Sequence, residues 1–196
     1  LFDIAFLRHM PNIVLMAPTN EEEMHQMFRT ALKSQHPCAI RYPRGKAAGV
    51  PLQLDRVEPV PLGKARVVQE GTDVALIVYG TILHDVMKAL PMLIEEGIHP
   101  TVVNARFAKP IDEELMISLL KKGYRLVTIE EHALAGGFGS RVLEVLEEHS
   151  LPQEQVLRLG VPDHFVEHGD REVLMEVLGL SPRRMTERIV EFCRHA

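Results

Sequence analysis

An α/β fold with a mainly parallel sheet and helices on both faces is the class this sequence predicts, and three observations carry it. Residues 72–196 alternate between short apolar runs and helical stripes, the order that right-handed strand–helix–strand crossovers produce. DVALIVYG, residues 73–80, is a continuous apolar run, as in a parallel strand covered on both faces. Residues 12–42 show the same strand–helix–strand order ahead of it, as the tail of a second α/β domain would.

The elements follow in order along the chain. NIVLMAP, residues 12–18, is an apolar run closed by Pro18, a buried strand. Asn20 is placed as an N-cap, with Glu23 as its capping-box partner. Met24, Met27, Phe28 and Ala31 then recur at helical spacing, and CAIRY, residues 38–42, is the next strand. Pro51, Pro59 and Pro61 forbid a helix or a central strand. The chain is therefore divided into residues 1–50, a linker with a leading strand at 51–70 (KARVVQEG, residues 64–71, supplies the strand), and residues 71–196.

In the last part, Val86, Leu90, Leu93 and Ile94 make a helical stripe that Pro91 is expected to kink. TVVNA, RLVTIEE and QVLRLG read as strands, and GSRVLEVLEEH as a helix. Asp112 is a cap and Gly123 a terminator for the helix bearing Leu115, Leu119 and Leu120. Asp170 is expected to cap REVLMEVLG, and Ser181-Pro182 to open a last helix bearing Met185, Ile189 and Phe192.

Composition excludes several classes. Of 196 residues, 46% are hydrophobic and 25% charged, with a net charge of −5, an ordinary globular balance that does not suit a nucleic-acid backbone. No apolar run approaches the roughly 18 residues that a membrane helix needs. Cys38 and Cys193 are the only cysteines; two thiols make no disulfide framework and suit a reducing compartment. The opening LFDIAFLRHMPN begins with Leu and has no targeting character; it reads as the interior of a domain, so the chain is expected to be part of a longer protein.

Three stretches hold chemistry-bearing residues. HFVEH, residues 164–168, has the H-x-x-E-H spacing of a zinc helix. Pro162 and Gly169 leave room for barely one turn, so His164 and His168 read as exposed loop residues and no metal site is assigned. EEHALAGGFGSRV, residues 130–142, joins a strand end to a helix through glycines. Val142 stands where a dinucleotide fingerprint needs its third glycine, so the glycines are read as allowing a tight turn and close packing. Glu130 and Glu131 stand at a strand's carboxyl end, where such folds place ligands; they read first as a solvated pair. In PCAIRYPRGKAAG, residues 37–49, a buried strand runs into two arginines. Arginine suits two-point fixation of a phosphate or carboxylate. Arg41 reads as a structural ion pair, and Arg44 is open between an ion pair and a ligand contact.

Five stretches together carry a resemblance: FDIAFLRHMPNIVLMAPTNEEE, RYPRG, VVNARFAKPIDEEL, VTIEEHALAGGFGS and LGVPDHFVEHG. In order and spacing they resemble the 1-deoxy-D-xylulose-5-phosphate synthase family, thiamine-diphosphate enzymes of the transketolase superfamily, over essentially the whole chain. The resemblance implies that residues 1–50 are the C-terminal part of a pyrimidine-binding domain and 71–196 a transketolase C-terminal domain. It implies a transferase that joins pyruvate to D-glyceraldehyde 3-phosphate with loss of CO2, feeding isoprenoid, thiamine and pyridoxal synthesis. It implies that Arg44 grips the phosphate of the aldehyde.

The family's catalytic glutamate, its diphosphate and magnesium motif and its G-P-T-H-x-G histidine correspond to positions before residue 1. No catalytic, cofactor-binding or metal residue is therefore assigned in this chain, which is expected to be inactive alone. Thiamine diphosphate and Mg2+ belong to the full-length enzyme. Asp3 and Arg8 are read as scaffold. A homodimer in the bacterial cytoplasm is expected, or alternatively the plastid stroma. Two rival readings stand beside this one: a 2-oxoacid dehydrogenase β-type subunit, which hands its acyl group to a lipoyl arm, and a non-catalytic dimerisation module.

Overall fold

The computed structural model describes residues 1–45, 48–52 and 57–195. Residues 46–47 of the arginine loop and 53–56 of the expected linker lie outside the described residues. The chain opens with α1 (Asp3–Arg8), β1 (Val14–Met16), α2 (Glu21–Lys33) and β2 (Cys38–Ile40). It continues with β3 (Arg66–Gln69), β4 (Val74–Tyr79), α3 (Leu83–Glu95), β5 (Pro100–Asn104) and β6 (Phe107–Lys109). Then come α4 (Glu113–Lys121), β7 (Arg125–Ala133), α5 (Phe138–Glu148), β8 (Val156–Val161), α6 (Arg171–Val177) and α7 (Pro182–Arg194).

These strands form two sheets. The larger has the order β3-β5-β4-β7-β8. β5, β4, β7 and β8 are mutually parallel and β3 joins the edge antiparallel. Its two faces are covered by different helices, as alternation along a strand requires. Ala75, Ile77 and Tyr79 of β4 pack against Met116 and Leu119 of α4 and Val142 and Leu146 of α5. Val74, Leu76 and Val78 face Val86 and Leu93 of α3 and Met185 and Ile189 of α7. All six β4 side chains are buried, and burial of Val74, Leu76, Ile77 and Val78 is worth about 1.5–3 kcal/mol each. The α/β class with helices on both faces is therefore the observed one.

The smaller sheet has the order β2-β1-β6. β1 pairs parallel with β2 and antiparallel with β6. Thus a strand from beyond the proline-rich stretch completes the sheet of the first residues. FAK gave no strand signal in the sequence, being short and followed by Pro110. α1 likewise gave none; its six residues bury only Ile4. Val60, 5% exposed, packs with Val14, Met16, Met27 and Phe107, and its carbonyl accepts from Thr30 Oγ1 at 2.9 Å.

Helix ends follow their predicted chemistry with two differences. The side chains of Asn20, Asp112 and Ser181 accept from the backbone N–H of Glu23, Leu115 and Arg184, each such cap worth about 1 kcal/mol. Gly123, at φ 89°, follows α4, where a left-handed residue satisfies the last carbonyls. Glu23 does not reach back to the N-cap amide as a capping box would; its carboxylate turns to Thr19 and to β5 and its following turn. Asp170 precedes α6 without a side-chain cap. Pro91 lies inside α3 without ending it.

Candidate functional site

β1 and β2 run parallel, so the segments after them leave the smaller sheet at the same edge. Carboxyl ends of parallel strands are where α/β folds hold ligands. Here the Pro18–Glu21 turn and residues Tyr42–Gly45 of the loop after β2 form one wall of a cleft of about 830 Å³. The opposite wall comes from the larger sheet: Thr81, His84, Asp85 and Lys88 around the start of α3, with Arg171 of α6.

The two arginines of the loop diverge. Arg41 turns inward and donates from Nε to Asp3 Oδ2 at 2.8 Å and from Nη2 to the Glu131 carbonyl at 2.9 Å. Burial pulls the Asp3 carboxyl upward, but the Arg41 charge and hydrogen bonds bring it below its ordinary value on balance. Arg44 is exposed and lines the cleft. Among the described residues no carboxylate or carbonyl takes its guanidinium. The other cations of the cleft are engaged: Lys88 lies 3.2 Å from Asp85, and Arg171 lies 2.8 Å from both Asp85 and Glu131. Among the described residues Arg44 is thus the cleft arginine whose donors no acid takes.

The paired glutamates separate as well, which corrects the solvated-pair reading. Glu131 reaches the surface and pairs with Arg171. Glu130 is fully buried and accepts from Phe138 N–H at 2.7 Å and Gly139 N–H at 2.8 Å. Its carboxylate occupies the N-terminus of α5, where orphan amides and the helix dipole favour an anion. The glycine-rich turn is therefore already filled by the chain's own acid. Burial pushes the Glu130 carboxyl up to about 7, against those two hydrogen bonds.

Next to it, buried His132 accepts from Ile4 N–H at 3.1 Å and contacts the Ala133 carbonyl through Nδ1 at 2.8 Å. Those contacts assign the proton to Nδ1. Burial lowers the pKa of this ring. His132 therefore ties the N-terminus of α1 to β7. Arg8 at the other end of α1 makes a two-point pair with Glu144 of α5, at 2.7 and 3.1 Å. The Tyr79 hydroxyl is buried without a partner among the described residues, and its ring stacks on Phe138 with centroids 5.3 Å apart.

His164 and His168 lie exposed in the loop between β8 and α6, where no helix forms. Among the described residues no group of three or more His, Cys, Asp or Glu gathers to hold a metal. No helix among them is long and apolar enough to cross a membrane. Both cysteines are free thiols. Sequence reasoning reached Arg44 but missed Thr19, His84, Lys88 and Arg171 as its neighbours. Only the tertiary fold brings these distant positions together.

Comparison with known proteins adds a lineage to this geometry. Residues 1–49 match the transketolase pyrimidine-binding domain, and residues 63–185 the transketolase C-terminal domain. A 1-deoxy-D-xylulose-5-phosphate synthase of Synechococcus elongatus is 45% identical over 191 residues, 97% of this chain and 30% of that protein. That of Acaryochloris marina is 47% identical over 191 residues, again 97% and 30%. That of Heliobacterium modesticaldum is 47% identical over 181 residues, 92% and 28%. The chain thus spans about 30% of the length of these curated relatives. Among solved structures, a split-gene transketolase described as an inactive β4 tetramer has a TM-score of 0.83 and 32% identity, covering 100% of this chain and 61% of that one. The chain belongs to the transketolase family, and the curated relatives compared above are 1-deoxy-D-xylulose-5-phosphate synthases.

Proposed function

We propose that this chain is the rear part of a thiamine-diphosphate-dependent synthase that joins pyruvate to D-glyceraldehyde 3-phosphate, giving 1-deoxy-D-xylulose 5-phosphate and CO2, with Arg44 holding the phosphate of the aldehyde. On this reading residues 1–50 close the pyrimidine-binding domain, 51–70 are linker and leading strand, and 71–196 are the C-terminal domain. The working enzyme is a homodimer in the bacterial cytoplasm. The observation that carries the reading is Arg44 itself, exposed in the cleft while Arg41, Lys88 and Arg171 are each paired with acids. A guanidinium that no acid among the described residues takes presents a planar fork for two phosphate oxygens. Held there, the aldehyde carbon is kept at a fixed distance from the reacting centre, which converts encounter into positioning.

The described residues do not fit a diphosphate–magnesium site. The amides of the glycine-rich turn are taken by Glu130, and no set of metal-ligating side chains gathers among the described residues. On this reading thiamine diphosphate and Mg2+ are held by residues outside this chain. The cofactor supplies the acyl-anion chemistry; this chain's part is capture of the acceptor. In the complete enzyme, Arg44→Ala is expected to raise KM for D-glyceraldehyde 3-phosphate by about 10–100-fold, the range for losing a charged hydrogen bond, with KM for pyruvate little changed. Equal effects on both substrates would refute the assignment.

A further inference from the structure

NARFAKP, residues 104–110, belongs to one of the stretches that carry the family resemblance, yet none of its residues lines the Arg44 cleft. The chain leaves the larger sheet at Asn104, the end of β5, and enters the smaller sheet at Phe107, the start of β6. Between them Arg106 has φ 60°, a left-handed conformation that a residue with a side chain keeps only when its surroundings hold it. They do. Asn104 Oδ1 accepts the Arg106 N–H at 3.1 Å, and the Arg106 carbonyl accepts the Ala17 N–H at 2.9 Å.

The Arg106 side chain is aimed at Glu23, a carboxylate that is 5% exposed. Arg106 Nε donates to Glu23 Oε1 at 2.7 Å, and Asn104 Nδ2 lies 2.9 and 3.0 Å from its two oxygens. Thr19 donates to Oε2 from both its backbone N–H and its hydroxyl, each at 2.8 Å. A carboxylate taken out of water needs such a complete set of donors. Thr19 is in turn a rim residue of the Arg44 cleft, and its carbonyl accepts from His84 Nε2 of the opposite wall at 2.6 Å. Every polar group of Thr19 is thus held, by Glu23 from one side and by α3 from the other.

We propose that Glu23 and Arg106 are positioning residues for phosphate capture, an ion pair at the crossing point between the two sheets that fixes the Thr19 rim and so the gap between the Arg44 wall and the α3 wall; the proposal rests on the reading of Arg44 given above. The two walls of the cleft belong to different sheets. A tie placed where the chain passes from one sheet to the other sets their separation. A phosphate on Arg44 must fit that separation, whereas the part of the acceptor without phosphate does not meet it.

The test is steady-state kinetics of the complete enzyme with D-glyceraldehyde 3-phosphate and with unphosphorylated D-glyceraldehyde, together with thermal melts. Glu23→Gln is expected to raise KM for the phosphorylated acceptor about tenfold, equivalent to about 1.4 kcal/mol. KM for pyruvate and kcat/KM for D-glyceraldehyde stay at the wild-type value. The double variant Glu23→Gln with Arg106→Gln leaves no buried charge unpaired, so its Tm returns toward wild type while KM for the phosphorylated acceptor stays raised. Thr19→Val keeps the ion pair and loosens only the rim, and shows a smaller shift in the same direction. A folded double variant with wild-type KM, or equal losses on both acceptors, would overturn the inference. Arg44→Ala run beside them separates the two claims. If it leaves the phosphate preference intact, both fall; if it abolishes the preference while the Glu23 and Arg106 variants do not alter it, only the positioning role falls.

Discussion

Arg41 and Arg44 stand three positions apart in one loop, and their surroundings give them different work. Arg41 is spent on Asp3 and the Glu131 carbonyl, while Arg44 faces the cleft. The sequence already reads Arg41 as an ion pair and Arg44 as the open one, but it could not name the partners of Arg41, because Asp3 and Glu131 lie far along the chain. Glu130 is the opposite case: it was read as half of a solvated pair, yet it is buried against the amides of α5. Its pKa is raised to about 7 by burial. It therefore adds stability that is complete below its unfolded value of about 4.5 and is lost as pH rises through 7. Neighbouring His132 has the reverse sign. Its pKa is lowered by burial, so it adds stability above its unfolded value of about 6.5 that is lost as pH falls. Between pH 5 and 7 the two oppose each other. Relative to wild type, the melts of Glu130→Gln are expected to rise more steeply with pH in that window, because the Glu130 loss is removed while the His132 contribution remains. A Glu130→Gln melt with the same pH slope as wild type would contradict this pairing.

Elements follow the same division between what is local and what is not. The N-caps at Asn20, Asp112 and Ser181 and the glycine after α4 were legible because capping is settled within four residues. β6 was not legible, since a three-residue strand owes its existence to β1, far away in sequence. Half of the predicted capping box failed for the same reason: Glu23 finds stronger partners in Asn104 and Arg106 than in its own N-cap. The glycine-rich entry to α5 was read correctly as a packing device. A Cβ at Gly137 would stand 2.5 Å from the Ala133 carbonyl oxygen and also press on the Glu130 carboxylate. Alanine is in addition a poor N-cap. Gly137→Ala is accordingly expected to destabilise by about 1–3 kcal/mol, read as a Tm lowered by several degrees. An unchanged Tm would show that the turn has slack the geometry does not.

At the scale of the whole chain, two sheets share one core, for Ile4, Leu15 and Ala17 pack into the same cluster as Ala75, Tyr79 and Phe138. The proline-rich stretch marked a change of texture in the sequence, but it could not show that the chain crosses back at β6 or that the cleft opens between the sheets. The family was legible from five stretches and agrees with the matches over residues 1–49 and 63–185. Calorimetric titration of the 196-residue chain with thiamine diphosphate and Mg2+ is expected to give no sub-millimolar binding; a clear isotherm would place cofactor ligands within it. The central claim, that Arg44 makes the cleft a phosphate site, is tested most directly by acceptor preference in the complete enzyme. The measurement is kcat/KM for D-glyceraldehyde 3-phosphate relative to D-glyceraldehyde, in wild type and in Arg44→Ala. The account predicts that the variant loses about 10–100-fold of that preference while turning over the unphosphorylated aldehyde as before; an undiminished preference would contradict it.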